Sequence, residues 1–303
     1  MVFGYLCTVL NDYGNFRGIF YALISSATFG LVPLFSIALL DSGLSAATVL
    51  FYRMGVGALL IGGIAVLQKK SFAITFQDLL KIIVLGGLYA ATALALIISY
   101  SYIPSGIATT IHFLYPIFVA LLMVLLFKEK CSLGLIAAAV VSLIGVALLS
   151  WSNSAYVNIK GIAIVLITVL TYGSYIVGVN KSGVDRIDSL LLTFYVLVVA
   201  TIVCGIVAGC TSGIGRIHTG NQAINVLLIA LVPTVISNLT LILAVKHVGS
   251  TITAILGSLE PLTAVLVGIF WFREPFNVQY AAGLLLILVS VSLVVWLNRR
   301  RTN

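Results

Sequence analysis

Charge is what this chain has least of. Only 8% of its 303 residues are Asp, Glu, Lys or Arg, against 61% hydrophobic, and the mean hydropathy is +1.22. A soluble domain covers itself with roughly 25% charged residues, so most of this exterior must meet lipid. Acidic residues are scarcest, 8 against 16 basic ones. The net charge of +8 does not point to a nucleic-acid partner, because the Lys and Arg residues stand singly or in short clusters between apolar runs, where membrane loops keep them. Cysteine is sparse too. Cys7, Cys131, Cys204 and Cys210 have neither metal spacing nor a paired framework, and they read as reduced packing or loop residues. There is no Walker-type phosphate loop, no His-Glu-x-x-His zinc site and no nucleophile elbow. No metal or other cofactor is expected, and any energy coupling must draw on an ion gradient or the solute's own gradient. The apolar Met1–Leu10 is too short for a signal and lacks a basic start, and no small-residue cleavage site follows it. The expectation for residues 1–17 is a tail at the membrane surface.

Apolar runs fill the rest. A helix needs about 20 apolar residues to cross the hydrocarbon core. That length fits Gly18–Leu40, Ala46–Leu67, Leu79–Tyr100, Ser105–Phe127, Leu133–Ser150, Gly161–Asn180, Ser189–Gly209, Asn225–Val245, Ser250–Phe272 and Val278–Leu297. The expected fold class is an all-α polytopic membrane protein of ten transmembrane helices. Trp151, Trp271 and Trp296 fall at predicted helix ends, where amphipathic rings favour the interface. With the N-terminus in the cytoplasm, twelve basic residues lie inside and three (Lys160, Arg216, Arg273) outside, with Arg53 within a span. The positive-inside rule therefore predicts cytoplasmic N- and C-termini.

The chain also repeats itself. Ile103–Trp151 aligns without gaps on Val248–Trp296 at an offset of 145: Pro116 meets Pro261, Glu129 meets Glu274, and Trp151 meets Trp296. Upstream the offset is 143, so Gly18 meets Gly161, Thr28 meets Thr171, and Phe51-Tyr52 meets Phe194-Tyr195. The expected organisation is a first repeat over 18–151, a second over 158–297 and a basic cytoplasmic tail over 298–303. Five helices per half is an odd number, so the second half enters the membrane from the other side. Inverted repeats of this kind build transporters whose substrate sites lie near midplane at the repeat interface.

Several motifs in both halves carry a resemblance. Phe51-Tyr52-Arg53, Tyr102-Ile-Pro-Ser-Gly-Ile-Ala108, Leu114-Tyr-Pro116 and Phe127-Lys-Glu129 stand in the first. His247-Val-Gly-Ser250, Ser258-Leu-Glu-Pro261 and Phe272-Arg-Glu274 stand in the second. In order and spacing this pattern resembles the EamA-type ten-helix carriers of the drug/metabolite transporter superfamily. The resemblance implies a secondary carrier in the plasma membrane, of bacterial inner-membrane type. Such carriers often export amino acids or other metabolites through a central cavity between the repeats.

Three ionisable residues lie well inside predicted helices: Arg53, His112 and Glu260. A charge at the bilayer centre costs about 2.5–3.5 kcal/mol on insertion scales, so such residues face a cavity or a partner. Read on a continuous helix, Glu260 shares a small-residue stripe with Thr253, Gly257 and Ala264, and Pro261 beside it frees a backbone carbonyl. A proton- or cation-binding carboxylate and a structural acid both fit. The 145-residue offset equates His112 and Tyr115 with Gly257 and Glu260, so a pseudo-two-fold axis would gather His112, Tyr115 and Glu260. His112 then reads as a proton relay or as a satisfied buried imidazole. Arg53 is able to pair with Glu260, bind a substrate carboxylate or snorkel outward. Ser25, Ser26, Thr28, Thr168, Thr171, Tyr172 and Tyr175 offer hydroxyls that either line a cavity or hold helices together. Pro33, Pro116 and Pro261 are read as helix kinks. Asn238-Leu-Thr240 matches a glycosylation acceptor inside an apolar span and is read as chance.

The expectation is thus a secondary transporter for a small molecule, embedded in lipid, with proton or ion coupling. A passive channel is the alternative. An intramembrane enzyme is remote, since one acid and one His at depth supply no paired catalytic groups.

Overall fold

The computed structural model describes residues 2–99, 102–103, 108, 111–129, 132–150, 158–211, 213–270 and 278–302. Among these residues the regular structure is helical, with no strand. In chain order the helices are α1 (Val2–Phe29), α2 (Val32–Asp41), α3 (Ala46–Leu67), α4 (Phe76–Ser99), α5 (Tyr115–Phe127) and α6 (Leu133–Ser150). After them come α7 (Ile159–Lys181), α8 (Ser189–Cys210), α9 (Gly220–Ala230), α10 (Ser237–Leu256), α11 (Leu259–Phe270) and α12 (Val278–Thr302). Side-chain caps satisfy free backbone donors at several starts. Ser45 accepts from the Thr48 amide, Asn158 from Lys160 and Asp188 from Leu190, and Thr219 with Gln222 closes a capping box.

Among the described residues six stretches are long and apolar enough to cross a membrane: 16–41, Ala46–Leu67, Phe76–Ser99, Ile159–Lys181, Ser189–Cys210 and 220–256. Shorter apolar helices cover Tyr115–Phe127, Leu133–Leu148 and Ala281–Leu293. Residues 2–17, expected to be a surface tail, are the start of α1, and the basic end of the chain continues α12 to Thr302. Trp151, Trp271, Arg273 and Glu274, together with most of 104–110, lie outside the described residues.

Proline decides where the helices break. The expected first span divides at Gly30-Leu31 because Pro33 has no N–H to return to the Phe29 carbonyl. Pro116 stands second in α5, just after a break at Phe113-Leu114. The expected ninth span is likewise two pieces, α10 ending at Leu256 and α11 starting at Leu259. Pro33, Pro116 and Pro261 thus open new helices rather than bending continuous ones, matching proline's preference for the first turn. Glu260 consequently lies in the first turn of α11, not midway along an unbroken helix. Pro233 has a different effect: Leu231–Ile236 widen into a π turn between α9 and α10. The Thr234 hydroxyl donates to the Ile229 carbonyl at 2.8 Å, taking up the acceptor that Pro233 leaves free. Gly249, at φ 80° and ψ 172°, turns the chain within α10, a conformation that a side chain would strain.

The two halves pack by a two-fold rule. α3 packs on its counterpart α8, and α6 on α12; α1 on α10 mirrors α7 on α4, while α5 on α7 mirrors α11 on α1. Single residues follow the same rule. A Cβ on Gly62 would meet the Phe194 ring at 2.9 Å, and one on Gly205 would meet the Phe51 ring at 3.1 Å. Gly18 lies against His247 and Val248, and Gly161 against Tyr102 and Ile103. Tyr52 donates to the Gly215 carbonyl at 2.9 Å, and Tyr195 to the Phe72 carbonyl at 2.6 Å. In each case the start of one helix bonds the loop beyond the end of the other, so α3 and α8 run antiparallel. Small residues permit this close approach, on which lipid-embedded helices depend for packing. Outward faces carry exposed Leu59, Leu125, Ile206 and Leu285.

Among the described residues three ion pairs cross between the halves at one end of the bundle: Lys70–Asp188 at 2.7 Å, Arg186–Asp78 at 2.6 Å and Lys181–Glu129 at 3.2 Å. Lys246 Nζ adds a hydrogen bond to the Ile187 carbonyl.

Candidate functional site

The helix breaks surround a cavity of about 140 Å³ between the halves. The first half contributes Arg53, Tyr89, Thr92 and His112 to its wall, and the second contributes Tyr172 and Glu260. Gly30 and Val32 at the start of α2 and Pro261 at the start of α11 also border it, while Phe29, Ala93, Leu96 and Phe113 make its apolar side. Helix starts carry unpaired N–H groups and the positive end of the helix dipole.

Arg53 is 6% exposed and is held by the π turn. Its Nε donates to Thr234 Oγ1 at 2.7 Å and its Nη2 to the Pro233 carbonyl at 3.1 Å, with the guanidinium carbon 5.9 Å from the Phe29 ring centre. Both bonds tie the first half to the second. Arg53 therefore does not snorkel. It also makes no ion pair with Glu260, although both line the cavity. Among the described residues the Glu260 carboxylate has neither a hydrogen-bond nor an ion-pair partner.

His112 is fixed by Thr168. Nδ1 lies 2.8 Å from Thr168 Oγ1, whose own proton is donated to the Val165 carbonyl at 2.6 Å. The Thr168 oxygen must then accept from the ring, which assigns the proton to Nδ1 and leaves Nε2 as an acceptor. The imidazole sits in an aromatic cluster, 5.3 Å from the Tyr115 ring and 5.5 Å from Tyr172, which themselves lie 4.8 Å apart. The cluster continues through Tyr172–Tyr175 and Tyr175–Tyr89. Tyr89 accepts from Asn238 Nδ2 at 2.8 Å, and the same amide nitrogen donates to the Thr234 carbonyl at 2.8 Å. One polar and aromatic wall thus runs from His112 to the π turn that holds Arg53.

The other expected residues are distributed around this wall. Tyr115 and Tyr175 are fully buried within it, and among the described residues the Tyr175 hydroxyl has no hydrogen-bond partner. Thr253 is buried and its hydroxyl returns to the Gly249 carbonyl at 2.7 Å, which leaves it away from the cavity. Pro116 is buried and Pro261 borders the cavity; of the Pro33 side chain nothing is described. Tyr89, Thr92, Thr234 and Asn238 belong to the site without having been singled out for it. Thr92 and Thr171 approach to 2.7 Å across the halves. A hydroxyl or amide inside an apolar run is the only signal any of the four carries in the sequence.

Known proteins are similar to this chain in sequence or in fold. An uncharacterized transporter of Archaeoglobus fulgidus is 26% identical over 161 residues, covering 52% of this chain and 56% of the relative. An uncharacterized transporter of Synechocystis is 29% identical over 210 residues, 66% of this chain and 61% of its own length. A third, YvbV of Bacillus subtilis, is 23% identical over 199 residues, 65% of each. The chain thus spans less than two thirds of each of these relatives. A protein crystal structure matches with a TM-score of 0.81 over 96% of this chain and 99% of that one, at 14% identity, a likeness of fold alone. The model of the EamA-like transporter family matches residues 16–151 and again 159–296. By that double match, over most of its length, the chain belongs to the EamA-like transporter family.

Proposed function

We propose that this protein is a secondary transporter that exports a small metabolite, such as an amino acid or a related compound, by alternating access. In this reading ten transmembrane helices form two inverted five-helix repeats, over 18–151 and 158–297, in a plasma membrane. Both termini are cytoplasmic, in keeping with the twelve-to-three distribution of basic residues. The observation that carries the reading is the cavity itself, lined from both halves where helices break: Arg53 and His112 from one side, Tyr172 and Glu260 from the other. Discontinuous helices around a midplane site are how inverted-repeat carriers expose polar groups to a solute. The cross-repeat ion pairs at one end support a state closed there, so that rocking of one half against the other would open that end and close the cavity. No step in this cycle calls for catalysis or a cofactor.

Counterflow in proteoliposomes tests the reading. Vesicles preloaded with one unlabelled metabolite at a time are given the labelled form outside. A carrier concentrates label transiently and saturably for at least one solute. Conductance at ion-diffusion rates with no counterflow would establish the passive channel instead.

A further inference from the structure

We infer that Arg53 is the subsite for a carboxylate of the transported solute, and that Glu260 receives the solute's cationic end. The inference rests on the reading of the cavity as the transport site and adds the chemistry of its cargo. Arg53 brings a full positive charge into the bundle interior at 6% exposure, yet its bonds go to neutral oxygens, those of Thr234 and the Pro233 carbonyl. A guanidinium has five N–H donors, so those two bonds fix the plane of the fork and leave the remaining donors without a described partner. A buried charge held in place but without a counter-ion is expensive unless something charged completes it. Among the described residues Glu260 is the one carboxylate on the cavity wall; it feels the Arg53 charge across the cavity but makes no contact with it. The other polar side chains on the wall are neutral: Tyr89, Thr92 and the Nδ1 of His112 bond nearby Asn and Thr side chains, and Tyr172 packs its ring on His112. The cavity thus presents a guanidinium and a carboxyl group that do not touch, with an apolar side made by Phe29 and Phe113.

The matching load carries opposite charges at two ends of a small body, so that each wall charge is met and the interior stays neutral. A planar fork prefers a carboxylate, which it grips by two parallel bonds. A purely cationic solute would meet Arg53 as a like charge. A purely anionic one would leave its charge facing Glu260.

Binding to the purified wild-type protein decides this without any mutation. Alanine, leucine, phenylalanine and glutamine are each compared with the amide lacking the free carboxylate and with the acid lacking the amine, by calorimetry and by thermal shift. At least one zwitterion binds, and its amide and its deaminated acid each bind at least about tenfold more weakly, as expected where a charged site loses its partner. In Glu260→Gln the deaminated acid recovers relative to the zwitterion; in Arg53→Gln the amide does. Because Arg53→Gln also removes the bonds to the π turn, Arg53→Lys serves as its control, keeping the charge while losing the fork. Amides that bind as tightly as the zwitterions, or a panel in which no carboxylate-bearing member binds, would overturn the inference. The carrier reading stands or falls separately: counterflow of a solute without a carboxylate refutes the subsite and leaves the carrier intact.

Discussion

The hydroxyl of Tyr115 lies directly on Gly257, leaving no space for even a Cβ at that position. At the 145-residue offset Tyr115 is the counterpart of Glu260, and Gly257 the counterpart of His112. The contact therefore joins the two broken spans at the point where each is interrupted, and it seats Tyr115 in the aromatic wall beside His112 and Tyr172. Gly257→Ala is expected to destabilise the protein by about 1–3 kcal/mol, the usual cost of overpacking, read as a lower unfolding temperature in detergent. Tyr115→Phe removes the atom in conflict, so the double variant should recover part of that loss. Additive losses in the double-mutant cycle would show that the two residues are not coupled.

Tyr52 and Tyr195 make the same bond on opposite sides of the pseudo-two-fold axis, to the carbonyls of Gly215 and Phe72. Tyr52→Phe and Tyr195→Phe should therefore cost similar amounts, about 0.5–1.5 kcal/mol each. Thermal denaturation of the two single variants and the pair checks this. One large loss beside one negligible loss would break the symmetry argument at that layer.

The cross-repeat ion pairs give a pH-dependent expectation. Asp188 sits at the N-cap of α8, outside the span that follows. Partial burial works to raise its pKa, but the hydrogen bond from Lys70, the backbone N–H of Leu190 and the Lys70 charge outweigh it and hold the carboxyl below its ordinary value. A depressed carboxylate stabilises the closed end above the unfolded value of about 4 and loses that contribution as pH falls through the folded value. A partly exposed pair such as Lys70–Asp188 contributes about 0.2–1 kcal/mol, a tie between the halves weak enough for the proposed alternating access. Hydrogen exchange of residues 182–188, corrected for intrinsic rates, should be faster in Asp188→Ala than in wild type at pH 7. The two should converge only below about pH 4. Equal protection at pH 7 would mean that Lys70–Asp188 does not hold the halves together.

Apolar content marked much of this fold in advance. The bounds of α3 and α6 were legible to the residue, because polar residues close in on each apolar run, Ser45 and Gln68-Lys69-Lys70 around α3 and Lys128–Ser132 and Ser152-Asn153 around α6. The breaks were less legible. Pro33, Pro116 and Pro261 read as kinks, since hydropathy counts apolar residues and is blind to which N–H reaches which carbonyl. Thr253 entered the candidate site only by assuming an unbroken helix across Gly257 and Ser258. Arg53, His112 and Glu260 stood out as ionisable groups at depth, whereas the partners of Arg53 lie 180 and 181 positions further along the chain, beyond any periodic signal. Asn238 looked like a stray glycosylation match. Its bonds to Tyr89 and the Thr234 carbonyl depend on α4 and α10 meeting, which no local pattern announces.

Alternating access requires that the cavity between the halves carry the solute and face each side of the membrane in turn. Ala93 borders that cavity without taking part in its polar network. Ala93→Cys, in a chain whose four native cysteines are replaced, can be probed in right-side-out and inside-out vesicles with a membrane-impermeant thiol reagent. Alternating access predicts labelling from both faces, at rates that a transported solute shifts in opposite directions. Labelling from one face only, unchanged by any solute that the protein exchanges, would contradict it.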